Sequence, residues 1–131
     1  MRIFWAVAVG AAAGGVSRYY LSFAVQQRLG AAFPWGTLLI NVTGSLLLGF
    51  LMRYALATPS VSPELRLLLT TGFCGGYTTF STFSYETVMM LEDGQYARAA
   101  TYAAGSVFVA LLATAGGFIL ARELIAFRAR V

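Results

Sequence analysis

The densest concentration of polar chemistry in this chain is Thr70-Thr71-Gly72-Phe73-Cys74-Gly75-Gly76-Tyr77-Thr78-Thr79-Phe80-Ser81-Thr82-Phe83-Ser84, where hydroxyls, glycines and aromatic rings interrupt an otherwise apolar sequence. Gly72, Gly75 and Gly76, followed by paired β-branched threonines, disfavour a continuous helix. Inside a bilayer a helix break frees main-chain carbonyls and amides, which protein, water or an ion must then satisfy. Freed carbonyls are hard oxygen ligands suited to Na⁺ or K⁺. A Gly-rich helix crossing is the blander alternative; the coincidence of polar and glycine density favours a break with a bound cation. A potassium filter is excluded, because the residue order differs from Thr-Val-Gly-Tyr-Gly and such a filter needs four subunits around an axis.

Beyond the expected break, Phe80 and Phe83 share one helical face at i, i+3, while Thr79, Thr82 and Glu86 form the neighbouring face. Aromatic edges are electropositive and can line an anion path without the grip of a fixed charge. Thr37, Asn41 and Ser45 lie at i, i+4, i+8 in one apolar run, and Arg98, Tyr102, Ser106 and Thr114 repeat the pattern in another, with Ala110 filling the gap. Ordinary interhelical hydrogen bonding, worth about 0.6 kcal/mol per contact, explains any one Ser or Thr. For Asn41, whose amide must satisfy two donors and an acceptor, both readings stay open. Taken whole, the two ladders point to a weakly electropositive pore, as conduction requires.

The elements that must position these groups are apolar runs over about residues 3–26, 35–57, 65–91 and 96–127. Phe33-Pro34-Trp35 marks the first turn and Glu92-Asp93-Gly94 the last. In the only Pro/Ser-rich linker, Ser62-Pro63-Glu64 reads as an N-cap, a proline at the first helical position and an acid in the first turn. Met1-Arg2 before an apolar stretch has the start of a signal peptide, but the run continues through Tyr19, Tyr20 and Phe23 to spanning length. The expectation is one domain over residues 1–131, an all-α membrane protein with four transmembrane helices and the third broken near Gly75–Thr79. At about 20 residues per span this leaves no room for a separate soluble domain.

Composition supports the membrane class and removes much chemistry. The chain is 59% hydrophobic and 11% charged, with a mean hydropathy of +0.74. There is no His, and a single Cys74, which rules out zinc hydrolysis, His-based acid/base catalysis and an intrachain disulfide. Ser81 or Ser84 with Glu86 lacks a base for a nucleophilic site, so no enzyme is expected. All nine positive side chains are Arg, scattered singly beside the ends of apolar runs. That pattern reads as topology signalling rather than a nucleic-acid stripe. With an even number of spans both termini share a side, which collects Arg2, Arg53, Arg66, Arg122, Arg128 and Arg130. The positive-inside rule places that side in the cytoplasm, but Glu64 and Glu123 weaken the bias, and a chain near charge balance is able to insert in both orientations. A small multidrug-type exporter has similar length, yet proton-coupled export needs an acid embedded in the cavity. Here the deep first-helix charge is Arg18.

Over essentially its whole length the sequence resembles the Fluc family of fluoride channels, also called CrcB proteins. The resemblance rests on Gly10 to Arg18, on Trp35-Gly36-Thr37 leading to Asn41-Val42-Thr43-Gly44, and on Thr71 to Ser84 with Glu86. It implies an antiparallel, dual-topology homodimer in the cell (inner, cytoplasmic) membrane, passively exporting F⁻ and so lowering its toxicity in the cytoplasm. It also implies a structural, non-transported Na⁺ at the dimer centre, held by the carbonyls of Gly75 and Thr78 from both subunits. By position, Phe80 and Phe83 are the pore phenylalanines, Asn41 the polar group beside them, and Ser81 and Thr82 the hydroxyl track. Tyr102 and Ser106 match the polar positions of the fourth helix, with Thr37 on the same path. Arg18 is either a vestibule charge or an interhelical, snorkelling group. Ala110 stands where some relatives place a hydroxyl.

Overall fold

A computed structural model describes residues 1–130. They form helices α1 (Arg2–Leu29), α2 (Trp35–Ala57), α3 (Pro63–Leu67), a π-helical segment (Leu68–Cys74), α4 (Gly75–Tyr77), α5 (Phe80–Glu92) and α6 (Tyr96–Arg128), with no strand among the described residues. The segments from α3 to α5 follow one another along the third expected span. Helices α2 and α6 are long and apolar enough to cross a membrane. Helix α1 is longer than α2 but dilutes its apolar residues with Ser17, Arg18, Tyr19 and Tyr20.

Local chemistry explains the punctuation. The Ser62 side chain accepts the Leu65 N–H at 3.2 Å, with Pro63 and Glu64 in the first turn, as the triplet predicts. The α1–α2 turn is stitched by Gln26, whose Nε2 donates to the carbonyls of Gly30 (2.6 Å) and Phe33 (2.9 Å) while its Oε1 accepts the Gly36 N–H (3.2 Å). Gly30 has φ 85°, a left-handed conformation that favours glycine. At the opposite end, Arg128 donates to the Tyr54 hydroxyl and lies over its ring, joining the C-terminal ends of α2 and α6.

The glycines of the third span do not break it. Gly72 lies in the π segment and Gly75 and Gly76 in α4; the backbone leaves helical geometry two residues later, at Thr78 (φ −84°, ψ 158°) and Thr79 (φ −148°, ψ 116°). Packing overrides the low helix propensity of glycine here. Helix α1 lies directly on this segment. A Cβ at Gly72 would sit 2.9 Å from the Val7 carbonyl oxygen, and one at Gly76 would sit 2.5 Å from that of Ala11. Gly76→Ala is therefore expected to lower the melting temperature in detergent, at an overpacking cost of about 1–3 kcal/mol. Gly105→Ala, where nothing lies within 4 Å, should melt with the parent; equal melting of both variants would contradict the close α1 contact.

Candidate ion pathway around the helix interruption

The interruption leaves polar main-chain groups inside the bundle, and two side chains satisfy most of them. Asn41 on α2 faces Thr79: its Oδ1 accepts the Thr79 N–H at 2.8 Å and its Nδ2 donates to the Thr79 carbonyl at 3.0 Å. Thr79 is 6% exposed and caps α5, its Oγ1 accepting the Thr82 N–H at 3.2 Å. The same hydroxyl donates to Thr82 Oγ1 at 3.0 Å and lies 3.2 Å from Ser81 Oγ. These bonds divert donors that an unbroken helix would send to i−4. The carbonyl of Gly75 loses the Thr79 N–H to Asn41, and that of Thr78 loses the Thr82 N–H to Thr79 Oγ1. Arg18 Nη1 reaches the Thr78 carbonyl at 3.4 Å, long for a hydrogen bond. No donor among the described residues bonds the Gly75 carbonyl, and Gly75 is exposed. On the other face of this segment, the Tyr77 hydroxyl lies 2.9 Å from Thr43 Oγ1, tying α4 to α2.

Around this knot the residues expected from sequence divide among distinct cavities. One, of about 260 Å³, is lined by Asn41, Ser45, Thr79, Phe80, Phe83 and Ser106 among others. Ser106 is 8% exposed and its Oγ has no partner among the described residues. The Phe80 and Phe83 centroids are 5.5 Å apart, and Phe80 is 78% exposed, so its own chain leaves this wall uncovered. Ala110 lines the same cavity, which confirms that the fourth-helix track carries no hydroxyl there. A second cavity, of about 390 Å³, is bounded by Arg18, Ser22, Gln26, Thr37, Thr79 and Thr82. A third, of about 380 Å³, includes Glu86, Asp93, Gln95 and Arg98.

The ladders meet through an acid rather than directly. Thr37 Oγ1 donates to Glu86 Oε1 at 2.7 Å and the Tyr102 hydroxyl donates to Glu86 Oε2 at 2.6 Å. Two hydroxyls expected on one path with Asn41 thus spend their hydrogens on a carboxylate. Thr114 donates to the Ala110 carbonyl of its own helix at 3.0 Å and contributes to no path. Ser81 is exposed and lines none of these cavities, whereas Thr82 opens on the Arg18 side. Sequence reasoning placed Thr79 on one face with Thr82 and Glu86 but did not give it the cap, although a threonine three residues before Thr82 at the start of a helix is an N-cap signal, and it left Glu86 without a role. Tyr102, 1% exposed and packed with Phe33 (5.4 Å) and Phe83 (5.2 Å), retains its packing in Tyr102→Phe. That variant should lose about 1.5–3 kcal/mol, the worth of a hydrogen bond to a charged group. An unchanged melting temperature would show that the bond to Glu86 carries no net stability.

The described residues thus form an all-helical bundle in which two helices are long and apolar enough to cross a membrane, with an interrupted helix and a phenylalanine pair and a buried hydroxyl facing one cavity. The family model described as "CrcB-like protein, Camphor Resistance (CrcB)" matches residues 5–118, and the chain belongs to that family. A protein of Geobacter sulfurreducens named "Fluoride-specific ion channel FluC" is 50% identical over 124 residues, covering 95% of this chain and all of that one. A protein of the same name from Trichlorobacter lovleyi is 49% identical over 118 residues, covering 90% of this chain and 94% of the relative. The Rhizobium meliloti protein of that name is 45% identical over 119 residues, covering 91% and 95%. The family is thus one of channels rather than enzymes.

Proposed function

We propose that the protein is a fluoride-specific channel, active as an antiparallel homodimer of four-span, dual-topology subunits in the cytoplasmic membrane. The observation that carries this reading is the cavity in which the Phe80 and Phe83 rings, the Asn41 amide and the unpartnered Ser106 hydroxyl converge. A small, strongly hydrated anion needs hydrogen-bond donors and positive edges in place of water. Asn41 Nδ2 gives one hydrogen to Thr79 and keeps a second for the cavity, and Ser106 Oγ–H is uncommitted. None of these groups carries a full charge, so the anion is held weakly enough to leave. Arg18 supplies positive potential from the neighbouring cavity. The exposed Phe80 supports a second subunit as the missing wall.

Flux is passive and follows the membrane potential, a drive of about 2.3 kcal/mol per charge per 100 mV, which in an inside-negative cell sends F⁻ outward. A structural Na⁺ fits the donor set. The Gly75 and Thr78 carbonyls lack their helical donors, and no group of three His, Cys, Asp or Glu among the described residues competes as a metal site. These two carbonyls would hold such an ion, which would supply fixed positive charge beside the Arg18 contact to Thr78. In liposomes loaded with potassium fluoride, efflux is expected only after valinomycin provides a counter-charge path. Rapid efflux without it would overturn passive electrodiffusion, and no efflux in either case would overturn the channel reading.

A further inference from the structure

We infer that Thr79 is a positioning residue whose hydroxyl holds open the main-chain carbonyl of Thr78 and thereby sets cation affinity at the helix interruption, a role that rests on the sodium reading above. An unbroken helix would occupy the Thr78 carbonyl with the Thr82 N–H. Thr79 Oγ1 takes that N–H at 3.2 Å, and among the described residues the carbonyl receives only the long 3.4 Å contact of Arg18. The same oxygen donates to Thr82 Oγ1 at 3.0 Å and approaches Ser81 Oγ at 3.2 Å, so the cap also fixes the first hydroxyls of α5. Thr79 is buried and its backbone is fastened at both polar groups by Asn41. The hydroxyl is therefore aimed by the fold rather than by solvent. Without it, the Thr82 N–H is left without a partner in the bundle, and the first turn of α5 no longer fixes the orientation of the neighbouring Thr78 carbonyl.

The test is the Na⁺ concentration that half-maximally raises the melting temperature of purified protein, against N-methylglucamine as the inert cation. Thr79→Val, nearly isosteric, should raise that concentration about five-fold, the change expected from losing a helix cap worth about 1 kcal/mol. Thr79→Ser, which keeps the oxygen, should stay within about two-fold of the parent on the same scale. A parent protein indifferent to Na⁺ would overturn the sodium reading itself. A parent that responds, with Thr79→Val responding at the same concentration or Thr79→Ser shifted as far as Val, would overturn the role of the hydroxyl alone. If Thr79→Val does not fold, amide exchange in the parent decides. The Thr82 N–H should be protected with and without Na⁺, and fast exchange there would contradict the cap.

Discussion

Asn41→Asp should reduce fluoride flux through reconstituted protein by about 100-fold or more, on a scale of 1.4 kcal/mol per factor of ten, while the elution volume on a sizing column stays that of the parent. The amide makes two bonds of opposite sense, accepting the Thr79 N–H at 2.8 Å and donating to the Thr79 carbonyl at 3.0 Å. A carboxylate keeps the first and loses the second, setting negative oxygen against a carbonyl oxygen. Leaving a buried acceptor unmet costs about 1–3 kcal/mol. The substitution also removes the second amide hydrogen from the Phe80–Phe83 cavity and puts a negative charge where an anion must pass. Both effects act in the same direction, and the amide's hydrogen bonds lie within its own chain. Flux within a few-fold of the parent would show that Asn41 neither shapes nor lines the path.

Phe80→Ile should reduce flux by about ten-fold or more, again with 1.4 kcal/mol per factor of ten, and should leave the melting temperature nearly unchanged. The ring is 78% exposed within its own chain, so little packing is lost there; surface substitutions of this kind usually fall within about 0.5 kcal/mol. What disappears is the electropositive edge beside Phe83, 5.5 Å away between centroids, which an aliphatic side chain does not replace. The expected signature is a change in transport separated from a change in stability. Parallel losses of both would instead assign Phe80 to packing, and unchanged transport would remove it from the path.

The local signals of the sequence were legible where chemistry is local. Ser62-Pro63-Glu64 starts a helix because its cap, its proline and its acid act within one turn. The non-helical residues of the third span, Thr78 and Thr79, fall inside the expected Gly75–Thr79 bounds, though not at the glycines themselves. Glycine propensity pointed to Gly72–Gly76, yet α1 packs against those glycines and keeps them helical. The chain leaves helical geometry where Asn41, 38 residues away in sequence, compensates the Thr79 backbone. Such long-range compensation has no periodic signature. The ladders of Thr37 and Tyr102 showed which faces were polar but not their partner, because a helical face does not reveal that Glu86 lies between them. Asn41, Ser45 and Ser106 were the members of those ladders that do share a cavity with the phenylalanines.

The most direct measurement is efflux from proteoliposomes loaded with equal fluoride and chloride, followed in parallel by a fluoride and a chloride electrode after addition of valinomycin. A path of neutral donors and aromatic edges built for a small anion predicts rapid loss of fluoride and retention of chloride. Equal rates for the two anions, or retention of both, would contradict it.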